Sequence, residues 1–79
     1  MDINALITID PDIMGGQPVF TGTRVPVETL FDHLEDGVSL DEFLDDFSTV
    51  SKSQALAVLT IANKLLTSAQ INEFYAAVA

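Results

Sequence analysis

The chain has 79 residues, a formal net charge of −9 and no cysteine. A chain of this length forms one domain, and without cysteine it has neither a disulfide nor a thiolate metal site. Twelve acidic residues oppose only Arg24, Lys52 and Lys64, so the chain alone has little with which to neutralise the phosphates of a nucleic acid.

The first 26 residues predict a short β-hairpin segment. Three Pro and three of the four Gly fall between positions 11 and 26, and these residues fix or free the backbone at turns. Residues 7–10 alternate apolar and polar side chains, as a short strand does. Residues 18–20 and 24–25 are β-prone and flank Thr21-Gly22-Thr23, which predicts a hairpin turn there, and Gly15-Gly16 predicts a corner with positive φ.

Two amphipathic helices are predicted next. Val27, Leu30, Phe31 and Leu34 follow the i, i+3, i+4, i+7 spacing, with Pro26 at the start and Gly37 just past the end. The same spacing recurs in a second list of residues: Leu40, Phe43, Leu44 and Phe47. Ser39 and Glu42 predict a capping box at the start of this second helix.

The C-terminal half predicts two more helices. Ser51 and Gln54 form a second capping box, and the following apolar face comprises Ala55, Val58, Leu59, Ala62, Leu65 and Leu66. Leu56 and Ile61 widen this face, so we expect the third helix to be central and contacted on two sides. The last helix, with Thr67 or Ser68 as N-cap, carries Ile71, Phe74, Tyr75 and Val78 on one face.

Together these elements predict a mainly α protein with a short N-terminal β-hairpin. The expected organisation of the single domain 1–79 is a hairpin segment (1–26), a three-helix core (27–66) and a C-terminal helix (68–79). Short helices joined by a Gly turn and followed by a longer helix are compatible with a small bundle of helix-turn-helix, homeodomain-like type. Other small bundles share this pattern, so the residues alone leave the alternative open.

One run of the sequence carries a family resemblance. Its pattern is Ile-x-x-Asp-Pro-x-Ile-x-Gly-Gly-x-Pro-Val-x-x-Gly-Thr-Arg-Val-Pro-Val, followed by helical segments, and the match spans about residues 7–66. The pattern resembles the DUF433 family, small prokaryotic proteins often classed as antitoxins of the VapB45 kind. This resemblance implies a helix-turn-helix-like fold and genetic pairing with a PIN-like RNase toxin. It therefore implies an antitoxin that binds and neutralises that toxin.

Arg24 is the one cation in the tightly shaped N-terminal segment. In one interpretation its guanidinium clamps the carbonyls of residues 15–18 or pairs with Asp10 or Asp12. In a second, it reaches a partner such as the acidic metal site of a PIN-like nuclease. A phosphate contact is the third.

The third helix is also the candidate recognition helix of the helix-turn-helix unit. Its polar face offers five candidate DNA contacts: Lys52, Ser53, Thr60, Asn63 and Lys64. The alternative is that these residues form only the solvated side of a core helix. If DNA is bound, we expect a dimer or a complex with a basic toxin, since the chain alone should bind weakly.

The fourth helix has two possible roles. Its apolar face either covers the core or docks on a second copy or on a toxin, with Phe74, Tyr75 and Val78 as contacts. Since 48% of the residues are hydrophobic, more apolar surface is present than so small a core is expected to hide, which favours a homodimer.

Eight of the twelve acidic residues lie between Glu28 and Asp46. This stretch is either a solvated face or a docking surface for a basic protein, such as an RNA-handling toxin. A divalent-cation site is a third alternative, although the carboxylate spacing fits no EF-hand loop.

The sequence contains no recognisable catalytic set, and we expect neither enzymatic activity nor a cofactor or metal. His33, the only histidine, faces away from the apolar stripe of its helix and is expected to be exposed. No apolar run is long enough to cross a membrane, and the acidic N-terminus does not resemble a signal peptide. A cytoplasmic protein is therefore expected.

Overall fold

The structure, a computed structural model, describes residues 2–79. Within them the chain forms two strands and four α-helices. They are β1 (Ile7–Thr8), β2 (Val19–Phe20), α1 (Val27–Glu35), α2 (Leu40–Asp46), α3 (Lys52–Thr67) and α4 (Gln70–Val78), with 3-10 turns at Ile3–Ala5 and Met14–Gly16. The predicted class, mainly α with a short N-terminal hairpin, is confirmed. Two short helices joined at Gly37 precede the longer α3, as predicted.

The hairpin joins β1 to β2 in antiparallel register, with Ile7 opposite Phe20. The predicted turn at Thr21-Gly22-Thr23 is present, and the Phe20 N–H donates to the Val25 carbonyl at 3.0 Å. Beyond that turn the pairing continues as one bridge between Val19 and Pro26, with the Val27 N–H donating to the Pro18 carbonyl at 2.9 Å. The chain enters α1 directly after Pro26.

Helix α1 ends in the hydrogen-bond pattern of a Schellman motif. The Gly37 N–H donates to the Leu34 carbonyl at 3.1 Å, and the Val38 N–H donates to the His33 carbonyl at 2.9 Å. Gly37 has φ 83°, a left-handed conformation that costs glycine little because it has no Cβ. The predicted role of Gly37 as the residue past the helix end is confirmed, and it fixes the turn into α2.

Side-chain caps define the starts of α2 and α3. The Ser39 hydroxyl accepts the Glu42 N–H at 3.1 Å, which is the forward half of the predicted capping box. At α3 both halves form, since Ser51 Oγ accepts from the Gln54 N–H and Gln54 Oε1 accepts from the Ser51 N–H. Gln54 Nε2 also donates to the Thr21 carbonyl at 3.0 Å. One side chain therefore caps α3 and ties it to the hairpin turn.

The core lies where the hairpin, α1, α2 and the first half of α3 meet. Its buried side chains come from all of these elements and from the α2–α3 turn: Val19, Phe20, Leu30, Phe43, Val50, Ala55 and Val58. The rings of Phe20 and Phe43 lie 6.4 Å apart and tilted, a favourable arrangement for aromatic pairs. The hairpin is therefore held on the helices by burial, because two strands of this length are not stable alone.

The prediction that His33 is exposed was wrong. The side chain is half-buried, and its ring packs edge-on against Phe43 and Phe47, with centroid distances of 5.5 and 5.3 Å. His33 Nδ1 lies 2.8 Å from the Thr29 carbonyl oxygen. The apolar stripe of α1, considered alone, predicts that His33 faces solvent. His33 is covered because α2 packs across the edge of that stripe.

The end of α3 and all of α4 depart from the predicted core. Leu65 and Leu66 are 59% and 62% exposed, so the prediction that the whole apolar face of α3 is covered on two sides was wrong. The predicted N-cap was also wrong, because Ser68 ends α3 and Ala69 precedes α4 without a side-chain cap bond. We call residues 2–62 the body and residues 63–79 the C-terminal arm.

No helix in the described part of the chain is both long enough and apolar enough to cross a bilayer.

Candidate partner-binding site

Arg24 is presented by a rigid turn that follows β2. The Thr23 hydroxyl donates to the Phe20 carbonyl at 2.8 Å and accepts the Val25 N–H at 3.0 Å. These two bonds close the turn on both sides of Thr23 and hold the backbone of the next residue. The Arg24 side chain is exposed. The turn therefore fixes where the guanidinium emerges while leaving its charge available to solvent.

The contacts expected from the clamp interpretation of Arg24 are not seen among the described residues. Among residues 2–79 no hydrogen bond or ion pair holds its guanidinium, while one ion pair elsewhere joins Lys52 to Asp41. Asp10, one of the expected partners, instead accepts the Asp12 N–H at 2.9 Å and stabilises its own turn. The Pro18 carbonyl, one of the groups that the guanidinium was expected to clamp, instead accepts the Val27 N–H at 2.9 Å.

An open cleft of about 650 Å³ lies beside Arg24. Its walls come from the hairpin, the turn and the α2–α3 connection: Thr8, Ile13, Gly22, Thr23, Arg24, Val25, Pro26, Phe47 and Thr49. The cleft thus joins one cation to apolar side chains and threonines. Sequence reasoning did not link Ile13, Phe47 or Thr49 to Arg24, because these residues are distant in the chain and only the tertiary fold brings them together.

The α1–α2 surface carries the negative charge of the molecule. All eight acidic side chains between Glu28 and Asp46 are exposed. Lys52 Nζ lies 3.7 Å from Asp41 Oδ1, and no other ion pair forms in the part of the chain that the structure describes. Residues 2–79 contain no group of three His, Cys, Asp or Glu side chains that could hold a metal ion. The surface therefore presents a broad, unneutralised negative field.

The five candidate DNA contacts share one face of α3. By the 3.6-residue period, Lys52, Ser53, Thr60, Asn63 and Lys64 lie opposite the buried Ala55 and Val58 and span about 18 Å, and all five are exposed. Some of their groups are already engaged: Lys52 pairs with Asp41, and the Thr60 hydroxyl donates to the Leu56 carbonyl at 3.0 Å. The face is therefore accessible, and its cations number only two.

The three candidate contacts on α4 form a separate surface. Phe74, Tyr75 and Val78 are 62%, 69% and 67% exposed, and none of them lines the cleft beside Arg24. Helix α4 has no buried residue and packs chiefly on α3. Of the two roles considered for α4, covering the core is therefore not seen in the described residues. The structure thus separates the four predicted partner contacts into a cationic cleft on the body and an apolar face on the arm.

These features define a small, mainly helical domain with an N-terminal β-hairpin. The family model described as "Protein of unknown function (DUF433)" matches residues 7–62, and the chain belongs to this family. The predicted DUF433 membership is confirmed. No curated protein and no solved structure matched the chain in the two other comparisons. The family match covers the body from β1 onward and ends where the arm begins.

Proposed function

We propose that this DUF433 protein is an antitoxin-type binding module that neutralises a PIN-like RNase toxin in the cytoplasm. Its mode of action is binding, without catalysis. The observation that carries the proposal is the exposed Arg24, which a rigid turn presents beside an open cleft and which no described residue pairs. A cation without a structural partner is available to an acidic partner.

The chemistry of the guanidinium fits such a target. A PIN-like nuclease holds its catalytic metal in an acidic site, and arginine binds carboxylates through two parallel hydrogen bonds. A guanidinium inserted there would compete with the metal for its carboxylate ligands. The cleft beside Arg24 would receive apolar side chains at the rim of the nuclease site, with Ile13 and Phe47 as its apolar walls.

The acidic α1–α2 surface supports the same assignment. A protein that handles RNA carries positive charge, and complementary potentials accelerate encounter and orient the partners. Eleven of the twelve acidic residues precede position 47, on the same body that carries Arg24. Long-range attraction by the acidic surface would thus bring a basic nuclease to the body, and Arg24 would supply the specific contact.

Autoregulatory DNA binding is a second element of the proposal, and a stand-alone helix-turn-helix regulator is its alternative. The shared exposed face of α3 supports contact with DNA through Lys52 and Lys64. Two cations on a chain of net charge −9 make only a weak phosphate contact, so a basic toxin or a second copy would have to add charge. Binding of DNA by the chain alone is expected to vanish at moderate salt.

The test begins with capture of the tagged protein from its host lysate, a high-salt wash and mass spectrometry. A retained PIN-like nuclease is then purified, and its RNA cleavage is titrated with the wild type, Arg24→Ala and Lys64→Ala. Each variant removes one exposed cation, so Lys64→Ala is the matched control. We expect Arg24→Ala to raise the concentration needed for half-inhibition at least about tenfold, equivalent to about 1.4 kcal/mol, and Lys64→Ala to inhibit as the wild type does.

Two results would contradict the proposal. Retention of no nuclease by a lysate in which the candidate toxin is detectably expressed would remove neutralisation as the function. Equal inhibition by the wild type and Arg24→Ala would remove Arg24 and its cleft from the mechanism.

A further inference from the structure

The C-terminal arm carries an apolar surface that the described residues leave mostly exposed. Leu65, Leu66, Phe74, Tyr75 and Val78 are each more than half exposed. A shallow groove of about 240 Å³ runs between the two helices and is lined by Leu65, Leu66, Gln70, Ile71 and Phe74. A helix of nine residues is marginal in water without tertiary packing, and the packing of α4 on α3 leaves most of its apolar face exposed.

The chain exposes more surface than a compact monomer of its mass does. The chain exposes 5424 Å², whereas a compact monomer of 8.5 kDa exposes about 4,700 Å². The excess of about 750 Å² is close to the roughly 800 Å² that each partner contributes to a stable protein interface. The radius of gyration agrees, since it is 13.6 Å against about 11.6 Å for a compact domain of this length.

Charge distinguishes the possible occupants of this surface. Lys64 and Glu73 are the only charged side chains of the arm, so it has no net side-chain charge while the body is strongly acidic. A basic partner would be attracted to the body and would gain nothing electrostatically from the arm. A second copy can approach through the arm alone and keep the two acidic bodies apart.

We propose that the arm is a homodimerisation surface. In a two-fold dimer the same patch must serve both subunits, and the arm contains both complementary parts. It has a groove between α3 and α4, and it has projecting side chains from α4 that fill such a groove, chiefly Tyr75 and Val78. This proposal is independent of the proposed function, which rests on Arg24 and the body.

The test is sedimentation equilibrium of the full chain from about 1 to 100 µM, for the wild type, Phe74→Asp and Ala76→Asp. Both variants add one carboxylate to exposed positions of α4. Position 74 lies on the apolar face, whereas position 76 lies about 160° away on the helix. Circular dichroism of each variant verifies that the body remains folded, as expected because α4 contributes no buried residue.

We expect the wild type and Ala76→Asp to form dimers in this range and Phe74→Asp to remain monomeric, with a dissociation constant raised at least about a hundredfold. A dimer that persists in Phe74→Asp would overturn the proposal, because the interface would then lie elsewhere. A wild type that is monomeric at all concentrations would also overturn it, and binding of a nuclease through the arm would then explain the apolar surface. Arg24→Ala should dimerise normally. Failure of the proposed nuclease inhibition can therefore be distinguished from failure of the proposed dimer.

Discussion

The body and the arm are built from helices with the same apolar periodicity, yet the apolar face is buried in the body and exposed in the arm. Phe43 on α2 is completely buried, while Phe74 on α4 is 62% exposed. Both residues belong to an i, i+3, i+4, i+7 stripe. This spacing therefore specifies which face of a helix is apolar. It does not specify what covers that face.

The hydrogen bonds of the two regions differ in the same way. In the body, side chains join segments that are far apart in sequence: Gln54 binds the Thr21 carbonyl, and the Thr8 and Thr21 hydroxyls lie 2.9 Å apart. In the arm, the bonds are local, such as Thr67 to the Asn63 carbonyl and Ser68 to the Leu65 carbonyl. We therefore expect the body to unfold as one unit and the arm to open separately unless a partner covers it.

The largest expected contrast is between two phenylalanine truncations. Phe43→Ala removes a fully buried ring and should lower the free energy of unfolding by about 3–5 kcal/mol. Phe74→Ala removes an exposed ring and should change it by less than about 0.5 kcal/mol at concentrations where the chain is monomeric. Urea unfolding followed by circular dichroism measures both. Similar losses for the two variants would contradict the division into body and arm.

The next contrast concerns glutamine side chains. Gln54→Ala removes the reciprocal half of the α3 cap and the bond to the Thr21 carbonyl, so we expect a loss of about 1–2 kcal/mol. Gln70→Ala, its control in the arm, removes only a local contact with Ser68. It should leave the denaturation midpoint of the body unchanged. An unchanged free energy of unfolding in Gln54→Ala would mean that the hairpin is held on α3 by apolar burial alone.

A smaller effect is expected from backbone substitutions. Gly37→Ala places a Cβ on a residue with φ 83°, which should destabilise the body by about 1 kcal/mol. Ala76→Gly lowers the helix propensity of α4 by a similar amount, and in the monomer it should reduce helical signal without moving the unfolding midpoint. Thermal denaturation at low protein concentration compares the two. An equal shift in both variants would show that α4 unfolds together with the body.

The smallest effect is expected at the surface of the body. Lys52→Ala breaks the ion pair with Asp41. The Lys52 side chain is 62% exposed and the Asp41 side chain is 83% exposed. Such pairs contribute little, so the change in unfolding free energy should stay below about 0.5 kcal/mol and shrink further in salt. A loss above about 1 kcal/mol in chemical denaturation would indicate that the acidic surface destabilises the body more than the structure implies.

Features governed by local chemistry could be predicted from the sequence. The Ser51–Gln54 capping box, the turn at Gly37 and the left-handed corner at Gly15, with φ 71°, each depend on residues within one turn. The family resemblance, carried by the glycine, proline and arginine pattern, was likewise visible in a single segment. Such features depend on neighbours in the chain, which the sequence displays directly.

Features governed by tertiary contacts could not be predicted. His33 is half-buried because Phe43 and Phe47 approach from another helix, and the Arg24 cleft joins side chains from distant segments. Leu65 and Leu66 continue the apolar stripe of α3 beyond the edge of the core, where the described residues leave them mostly exposed. The apolar periodicity of a helix does not indicate how much of its length a small core can cover.

The central claim is that the body is stable in the monomer and that the arm is stabilised by a second copy. Amide hydrogen exchange at two protein concentrations, about 1 and 100 µM, tests this claim most directly. We expect the amides of α1, α2 and the first half of α3 to be equally protected at both concentrations. Amides of α4 should exchange rapidly when dilute and become protected when concentrated. Protection of α4 that equals that of α1 at 1 µM, or that does not change with concentration, would contradict the account.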